Sequence, residues 1–166
     1  MAVEPVVFPQ GADLYVKGTI HASDIDYPDA SIGNADIEAS AGIDTSKLDH
    51  VMDAHYSLSG TAASVTHVLY EARAAGTITS FRAGSVAAAV GAATVTADLK
   101  KNGTTCLSAV ITLDSGNSAY VAEAATLSVT SYVSGDVFTL VTVATAGGGT
   151  IPTGFYAHAR FDEAAT

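Results

Sequence analysis

The sequence has few of the residues on which many binding proteins and enzymes depend. Among its 166 residues there is one cysteine and no tryptophan, and aromatic residues make up 7%. The single Cys106 cannot form an internal disulfide. Basic residues are also scarce, with seven Lys and Arg against 17 Asp and Glu, a formal net charge of −10. Such an acidic chain has no field that attracts nucleic-acid phosphates or anionic lipid, so we expect neither nucleic acid nor a membrane as a partner.

Long hydrophobic runs are missing too. A membrane-spanning helix needs about 20 consecutive apolar residues, whereas the most apolar stretch, residues 86–95, is short and half alanine. Residues 1–5 carry neither the basic nor the apolar region of a secretory signal. We therefore expect a protein made in the cytoplasm.

The sequence also lacks the motifs that mark common catalytic sites. It contains no G-x-S-x-G, P-loop, G-x-G-x-x-G, H-E-x-x-H or paired CxxC. Carboxylates are sparse after residue 55, and Cys106 has no basic or histidine neighbour in sequence that would activate its thiol. Cys106 is expected to be a buried or half-buried small residue. We expect no enzymatic activity, no cofactor and no metal.

Charged residues and threonines are distributed unevenly along the chain. Residues 1–55 hold ten acidic and two basic residues, a net charge of −8, whereas the rest of the chain has a net charge of −2. Of the 19 threonines, 17 lie beyond residue 55. These differences predict an acidic arm at residues 1–54 and a Thr- and Val-rich body at residues 55–166.

The arm carries an internal repeat. Residues 20–26, 32–38 and 43–49 share the pattern I-x-x-[SA]-[DK]-[IL]-[DE], which returns after 12 and then 11 residues. Two aliphatic residues five apart fit neither a helical stripe nor the alternation of a strand. The Ser, Asp, Asn and Thr residues between them favour turns. We therefore expect an extended arm with repeated short turns.

The aliphatic residues of the repeat are the candidate site. An extended arm cannot bury them against itself, so they need a partner surface, and we predict that they mediate attachment or oligomerisation. An alternative is a disordered acidic tail, against which the regular return of Ile argues. The six residues are Ile20, Ile25, Ile32, Ile37, Ile43 and Leu48.

The body has the alternation of an all-β protein. The clearest inward row, at residues 155–161, is Phe-x-Ala-x-Ala-x-Phe, and residues 94–100 alternate in the same way. Residues 137–144 are apolar on both faces, which indicates a central strand. Weaker strand candidates are residues 64–72, 77–83, 118–123 and 126–132. About eight short strands without a helical period predict a jelly-roll-like β-sandwich.

The hairpin around Asn102 and Gly103 raises a question of register. A two-residue turn would place Leu99 opposite Cys106 and Leu107 opposite Asp98, so that the apolar faces do not match. We therefore predict a loop of three or five residues, after which Leu107, Ala109, Ile111 and Leu113 continue the inward row.

Two clusters could be read as metal sites, but each has a simpler interpretation. Residues 24–29, Asp-Ile-Asp-Tyr-Pro-Asp, lack the central Gly and terminal Glu of a calcium loop, so a solvated acidic turn is preferred. Residues 49–55 contain Asp49, His50, Asp53 and His55. One histidine per chain around a threefold axis could hold a metal ion, but a polar hinge between arm and body is the preferred interpretation.

Several segments resemble a known group of virus proteins. The arm repeat, ending in AGIDTSKLDH at residues 41–50, is similar to short repeats in tailed-bacteriophage head-decoration and fibre proteins. The blocks at residues 98–117, 134–137 and 151–155 resemble the body domain of the same group. The resemblance covers about residues 18–163.

The resemblance implies a structural protein of the virion, located on the outer surface of the capsid. In such proteins an N-terminal arm lies on the capsid, bound to the major capsid protein, and a β-sandwich body forms a homotrimer and projects. The expected function is therefore non-enzymatic decoration, or cementing, of a phage head. The alternative is a tail-fibre or receptor-binding module that binds host glycans, against which the small number of aromatic residues argues.

Overall fold

A computed structural model describes residues 50–163 of the chain. Within this range the protein is all-β, with two antiparallel sheets and no helix. Six longer strands carry most of the pairing, and four pieces of two or three residues complete the edges. The strands are β1 (His50–Thr61), β2 (Val65–Glu71), β3 (Gly76–Ala87), β4 (Thr94–Lys101), β5 (Thr104–Thr105), β6 (Ile111–Leu113), β7 (Glu123–Ala124), β8 (Ser131–Tyr132), β9 (Val137–Thr145) and β10 (Thr153–Glu163).

The strand order is that of a jelly roll. One sheet runs β1-β10-β3-β7, with β8 also paired to β3; the other runs β2-β9-β4-β5, with β6 also paired to β4. β5 and β6 both pair with β4, and β7 and β8 both pair with β3, so each of these two pairs is one interrupted edge strand. If each pair is counted as a single strand, there are eight strands in chain order. The two sheets then have the strand orders 1-8-3-6 and 2-7-4-5, which are two interleaved Greek keys. The predicted jelly-roll-like sandwich is confirmed, whereas the predicted arm up to residue 49 lies outside the described residues.

The inward row of β10 builds the centre of the core, as predicted. Phe155, Ala157, Ala159 and Phe161 are all buried, and the intervening residues face outward or are only half-buried. The row meets the second sheet through β9, where the ring centroids of Phe138 and Phe161 lie 4.7 Å apart. Removing either ring would leave a cavity, a loss of about 3–5 kcal/mol.

β9 is a central strand, between β2 and β4, as predicted. Its inward face includes one polar residue, Thr142, which is 2% exposed. The Thr142 hydroxyl donates to the Ala63 carbonyl at 2.7 Å and accepts from the Val65 amide at 3.1 Å. A satisfied hydroxyl is tolerated in a core, so this polar residue also ties the start of β2 to β9.

The weaker strand candidates have mixed outcomes. Residues 64–72 and 77–83 correspond to β2 and to part of β3. Of residues 118–123 and 126–132, only the ends are strand, as β7 and β8. In residues 118–123 the strand is interrupted at Tyr120, which has a φ of +63°, outside the range of a strand.

The turn at Asn102 and Gly103 has two residues, so the predicted loop of three or five residues is wrong. Lys101 pairs with Thr104 and Lys100 with Thr105. The turn residues have φ values of 49° and 85°, as a type I′ hairpin turn requires. Turn chemistry therefore determines the start of this hairpin.

The mismatch of apolar faces is corrected further along the chain. Ala97 pairs with Ile111 rather than with residue 108, so three extra residues are accommodated between β5 and β6. Cys106 and Leu107 are both buried in this irregular segment. Ala109, which was expected to face inward, is exposed.

The expected boundary between residues 54 and 55 falls inside β1. Residues 50–54 pair in regular register with β10, from His50 opposite Glu163 to Ala54 opposite Ala159. These five residues therefore belong to the sandwich.

Candidate functional site

The six aliphatic residues of the repeat lie outside the described residues, as do the acidic turn at 24–29 and Asp49. The structure therefore leaves their proposed role as a prediction. What it describes is the body, in which we examined the histidines, the buried ionisable groups and the clefts.

The histidines at the start of β1 do not form one cluster. His50 and His55 are five residues apart in a regular strand, and residues an odd number apart point to opposite faces. His55 lies directly opposite His158 of β10, which in turn lies opposite Arg82 of β3. His50 and His55 are thus divided between the two faces of the sheet.

The outward face of this sheet carries interleaved charges. The Nε2 atom of His158 is 3.1 Å from Oδ1 of Asp53, and both side chains are well exposed. Arg160 lies opposite Asp53 and 4.0 Å from Asp162. Among residues 50–163 no three His, Cys, Asp or Glu side chains are arranged to hold a metal ion. Such exposed pairs contribute little to stability individually.

His67 and Cys106 have ordinary environments. His67 is exposed on the edge strand β2, with its ring centroid 4.8 Å from that of Tyr56. Cys106 is fully buried, as expected, and burial raises the pKa of its thiol. A thiol that resists deprotonation is a poor nucleophile.

A buried carboxylate, which the sequence analysis missed, ends β10. Glu163 is 6% exposed and accepts hydrogen bonds from the Tyr70 hydroxyl and from the amides of Arg73 and Ala74, at 3.1 and 3.4 Å. Burial acts to raise the pKa of Glu163, but these hydrogen bonds outweigh it and hold the pKa below its usual range. Burial, followed by the bond to Glu163, raises the pKa of Tyr70 to about 12. Glu163 therefore fastens β10 to the loop before β3.

A cleft of about 300 Å³ opens where the two sheets separate at their interrupted edges. At one end of the cleft the edges of the two sheets pair directly, since Leu107 bridges Leu127 and the Ser108 amide donates to the Thr126 carbonyl at 2.9 Å. Beyond these bonds the two edge segments separate, because β6 pairs with β4 and β7 pairs with β3. We call the cleft between residues 108–112 and 123–126 the edge slot.

The polar lining of the edge slot is held in place by a turn. Asn117 Oδ1 accepts from the Asp114 amide at 2.6 Å, and Asn117 Nδ2 donates to Glu123 Oε1 at 2.9 Å. The other polar side chains that line the slot are Ser108, Thr112 and Thr126. The sequence signal for this feature is the turn-forming run Asp-Ser-Gly-Asn at residues 114–117.

Between Asn117 and Glu123 the chain presents an aromatic side chain in an unfavourable backbone conformation. Tyr120 has a φ of +63° and is 75% exposed. Its amide donates to the Ser85 carbonyl at 2.8 Å, and the Val121 amide donates to the Ser118 carbonyl at 3.3 Å. The position is that of a turn residue for which Gly or Asn is preferred. An exposed ring has no packing that offsets this strain.

No family model and no curated protein matches the sequence. In the part of the chain that the structure describes, no helix is long and apolar enough to cross a membrane.

Proposed function

We propose that the protein is a non-enzymatic decoration protein that binds the outer surface of a bacteriophage head and stabilises it. The observation that supports this proposal is the Ile repeat: six aliphatic residues recur in an acidic segment beside a β-sandwich that has its own core. The partner of the repeat is the major capsid protein, with the arms laid across joints between its subunits.

The energetics of such an arm favour several arms acting together. Burial of the aliphatic side chains favours binding of each arm, and the conformational entropy lost by an extended chain opposes it. Three arms held in one homotrimer would bind at high effective concentration, which raises the overall affinity above that of a single arm.

The start of the body also offers apolar surface. Val51 and Met52, near the start of β1, are 44% and 41% exposed. They follow Leu48 of the repeat by three and four residues. The two side chains point to opposite faces of the strand, so Val51, on the outward face, supports a contact surface that extends onto β1.

The arm can be tested by replacing Ile32, Ile37, Ile43 and Leu48 together with Ser. Undecorated capsids are mixed with the wild type or the variant and sedimented at low and high salt. We expect the variant to remain in the supernatant, and wild-type binding to survive moderate salt, because apolar burial is not screened as surface ion pairs are. A matched control replaces the exposed Val68 and Val143 of the body with Ser and should still sediment.

Two results would contradict this division of roles. Full co-sedimentation of the arm variant would place the contact on the body. Loss of wild-type binding in salt would make the arm an electrostatic tether. Light scattering of the free protein separately tests the homotrimer, which is expected at three times 16.7 kDa; a stable monomer would remove the contribution of multiple arms.

The alternative function, a tail-fibre or receptor-binding module, is distinguished by location and copy number. Electron microscopy of the parent particle should show the protein in many copies on the head. A few copies on the tail would favour the alternative.

A further inference from the structure

We propose that the outward face of the sheet formed by β2, β9, β4 and β6 is the surface through which copies of this chain bind one another. The inference rests on the homotrimer of the proposed function, and it names the part of the body that forms the contact. The registers of β2 with β9 and of β9 with β4 align outward side chains in rows across this sheet. We call two of these rows, Thr66–Val141–Asp98 and Val68–Thr139–Lys100, the neutral face.

The apolar residues of β9 alternate onto both faces of the strand. Phe138 and Leu140 are buried between the sheets, so Val141 and Val143 point outward. Apolar residues on both faces are typical of a strand that is covered on both sides. Within residues 50–163, however, Val143 is 51% exposed and Val68 of β2 is 58% exposed. The outward valines therefore indicate a surface that a second molecule covers.

The neutral face has fewer charges than the outward face of the other sheet. That face carries exposed charged side chains in successive rows, among them Asp53, Arg160 and Asp162. The neutral face has one acidic and one basic residue, with Asp98 Oδ2 3.9 Å from Lys100 Nζ, and its other residues are Val or Thr. The centre of a protein interface is depleted of charged residues, since their desolvation is costly.

A second copy of this chain fits the charge pattern. The chain has a formal net charge of −10, so copies that approach through acidic surfaces repel one another. The neutral face avoids this repulsion because its two charges balance. Around a threefold axis each contact is heterologous, and Asp98 of one copy would lie beside Lys100 of the next. Complementary charges of this kind fix the register of a contact.

The sheet is also large enough for a specific contact. Its four strand positions, with the nine residues of β9 as the longest side, give a flat area on the order of 600 Å². Specific interfaces bury at least about 600 Å² on each partner. Val and Thr side chains are stiff, so covering them costs little conformational entropy.

The experiment is light scattering of the full chain at micromolar concentration, with circular dichroism to check the fold. Val141→Asp places a charge at the centre of the face. Its matched control is Val90→Asp, at a valine that is 61% exposed in the loop between β3 and β4. Lys100→Asp makes the face acidic without removing a valine. Asp98→Lys combined with Lys100→Asp restores the balance with the two charges exchanged.

We expect the wild type at three times 16.7 kDa. Self-association should be at least tenfold weaker in Val141→Asp and in Lys100→Asp, with an unchanged sheet spectrum. Val90→Asp and the charge-exchanged variant should remain trimers. Val68→Ser with Val143→Ser should remain a trimer as well, because it keeps Val141 and the charge balance, and residues at the centre of an interface contribute most of the binding energy.

The inference is overturned if Lys100→Asp and a folded Val141→Asp both stay trimeric, which would place the contact on another surface of the homotrimer. Equal weakening in Val90→Asp would also overturn it. If Val141→Asp does not fold, Lys100→Asp and the charge-exchanged variant decide the question. A monomeric wild type that still co-sediments with capsids would overturn the inference and leave head decoration standing, whereas a trimeric wild type that does not co-sediment would count against decoration alone.

Discussion

Two residues other than glycine have positive φ in the described body, and they are there for different reasons. Asn102 forms a hairpin turn and uses its side chain: Nδ2 donates to Asp136 Oδ1 at 2.6 Å, and Oδ1 accepts from the Val137 amide at 2.9 Å. Tyr120 makes no such side-chain bond in the described structure and is 75% exposed. A residue other than glycine in this conformation costs about 1–2 kcal/mol. At Asn102 the side-chain hydrogen bonds offset that cost, whereas Tyr120 is held by its backbone bond to the Ser85 carbonyl.

Replacing Tyr120 with Gly should therefore leave the protein as stable as the wild type or raise its free energy of unfolding by up to ~1 kcal/mol, because relief of strain exceeds the greater flexibility of glycine in the unfolded chain. The control is Ala119→Gly, at the preceding turn position without positive φ, which should lose about 0.5–1 kcal/mol. Urea unfolding followed by circular dichroism measures both. A clear loss of stability in Tyr120→Gly would mean that the ring packs in solution.

The Glu163 carboxylate makes stability depend on pH. Its pKa is lower in the folded protein than in the unfolded chain, so the unfolded state takes up a proton first as the pH falls. The contribution of Glu163 to the free energy of unfolding is complete when the pH is above the ordinary pKa range of a carboxyl group. It is lost as the pH falls through that range towards the lower pKa of the folded state.

Glu163→Gln should reduce the free energy of unfolding at neutral pH by about 1–3 kcal/mol, because a buried charged acceptor of three hydrogen bonds is replaced by a neutral amide. Between pH 7 and pH 3, the thermal stability of the variant should also fall less steeply than that of the wild type. Glu71→Gln, on the exposed edge, serves as the control and should match the wild type. Equal pH profiles for Glu163→Gln and the wild type would contradict this assignment.

Among the elements, the β4–β5 hairpin shows how turn and strand compete. The Asn102–Gly103 turn favours one register and the alternation of Leu99 and Leu107 favours another. The chain follows the turn at the tip and the apolar pattern beyond the irregular segment, at β6. Each signal controls the residues nearest to it.

Asn102→Ala should lower stability by about 2–3 kcal/mol, because it loses both side-chain hydrogen bonds and a residue suited to positive φ. The midpoint of urea unfolding gives the measurement. The control is Thr104→Ala, at the exposed position directly after the turn, and it should change stability little. A loss of the same size in both variants would mean that the hairpin tip is sensitive to any substitution.

The elements that were predictable from sequence are those with one dominant signal. Phe155 to Phe161 alternate without interruption, and β10 formed as expected. Residues 118–132 alternate too, but Tyr120 and the contacts that hold it depend on Ser85, far away in the chain. The same limit applies to the site: the Asp114–Asn117 turn was visible, whereas its approach to Glu123 and the edge slot arises only when the two sheets separate.

For the whole molecule, the position of β1 changes where the body begins. β1 pairs with β10 from His50 onward, and Ala54 and Tyr56 pack against the core. The change in charge near residue 55 therefore marks a change in composition, not the edge of the folded unit.

A fragment of residues 50–163 should fold alone and give a sheet spectrum by circular dichroism, because it contains all ten strands that the structure describes. A fragment that begins at residue 56 should be far less stable, since half of β1 is lost and Phe161 is uncovered beside Met52. A cooperative, equally stable shorter fragment would show that the start of β1 is dispensable. A coil spectrum for residues 50–163 would mean that earlier residues are needed to fold.

Cys106 lies at the place where the edges of the two sheets join, and its carbonyl accepts from the Ser128 amide at 2.8 Å. Cys106 is the only cysteine and is fully buried, so the rate at which it is labelled reports local opening of the wild-type protein. A thiol reagent reaches the sulfur only in molecules in which this seam has transiently opened, so the labelling rate divided by that of a free thiol gives the population of the open state.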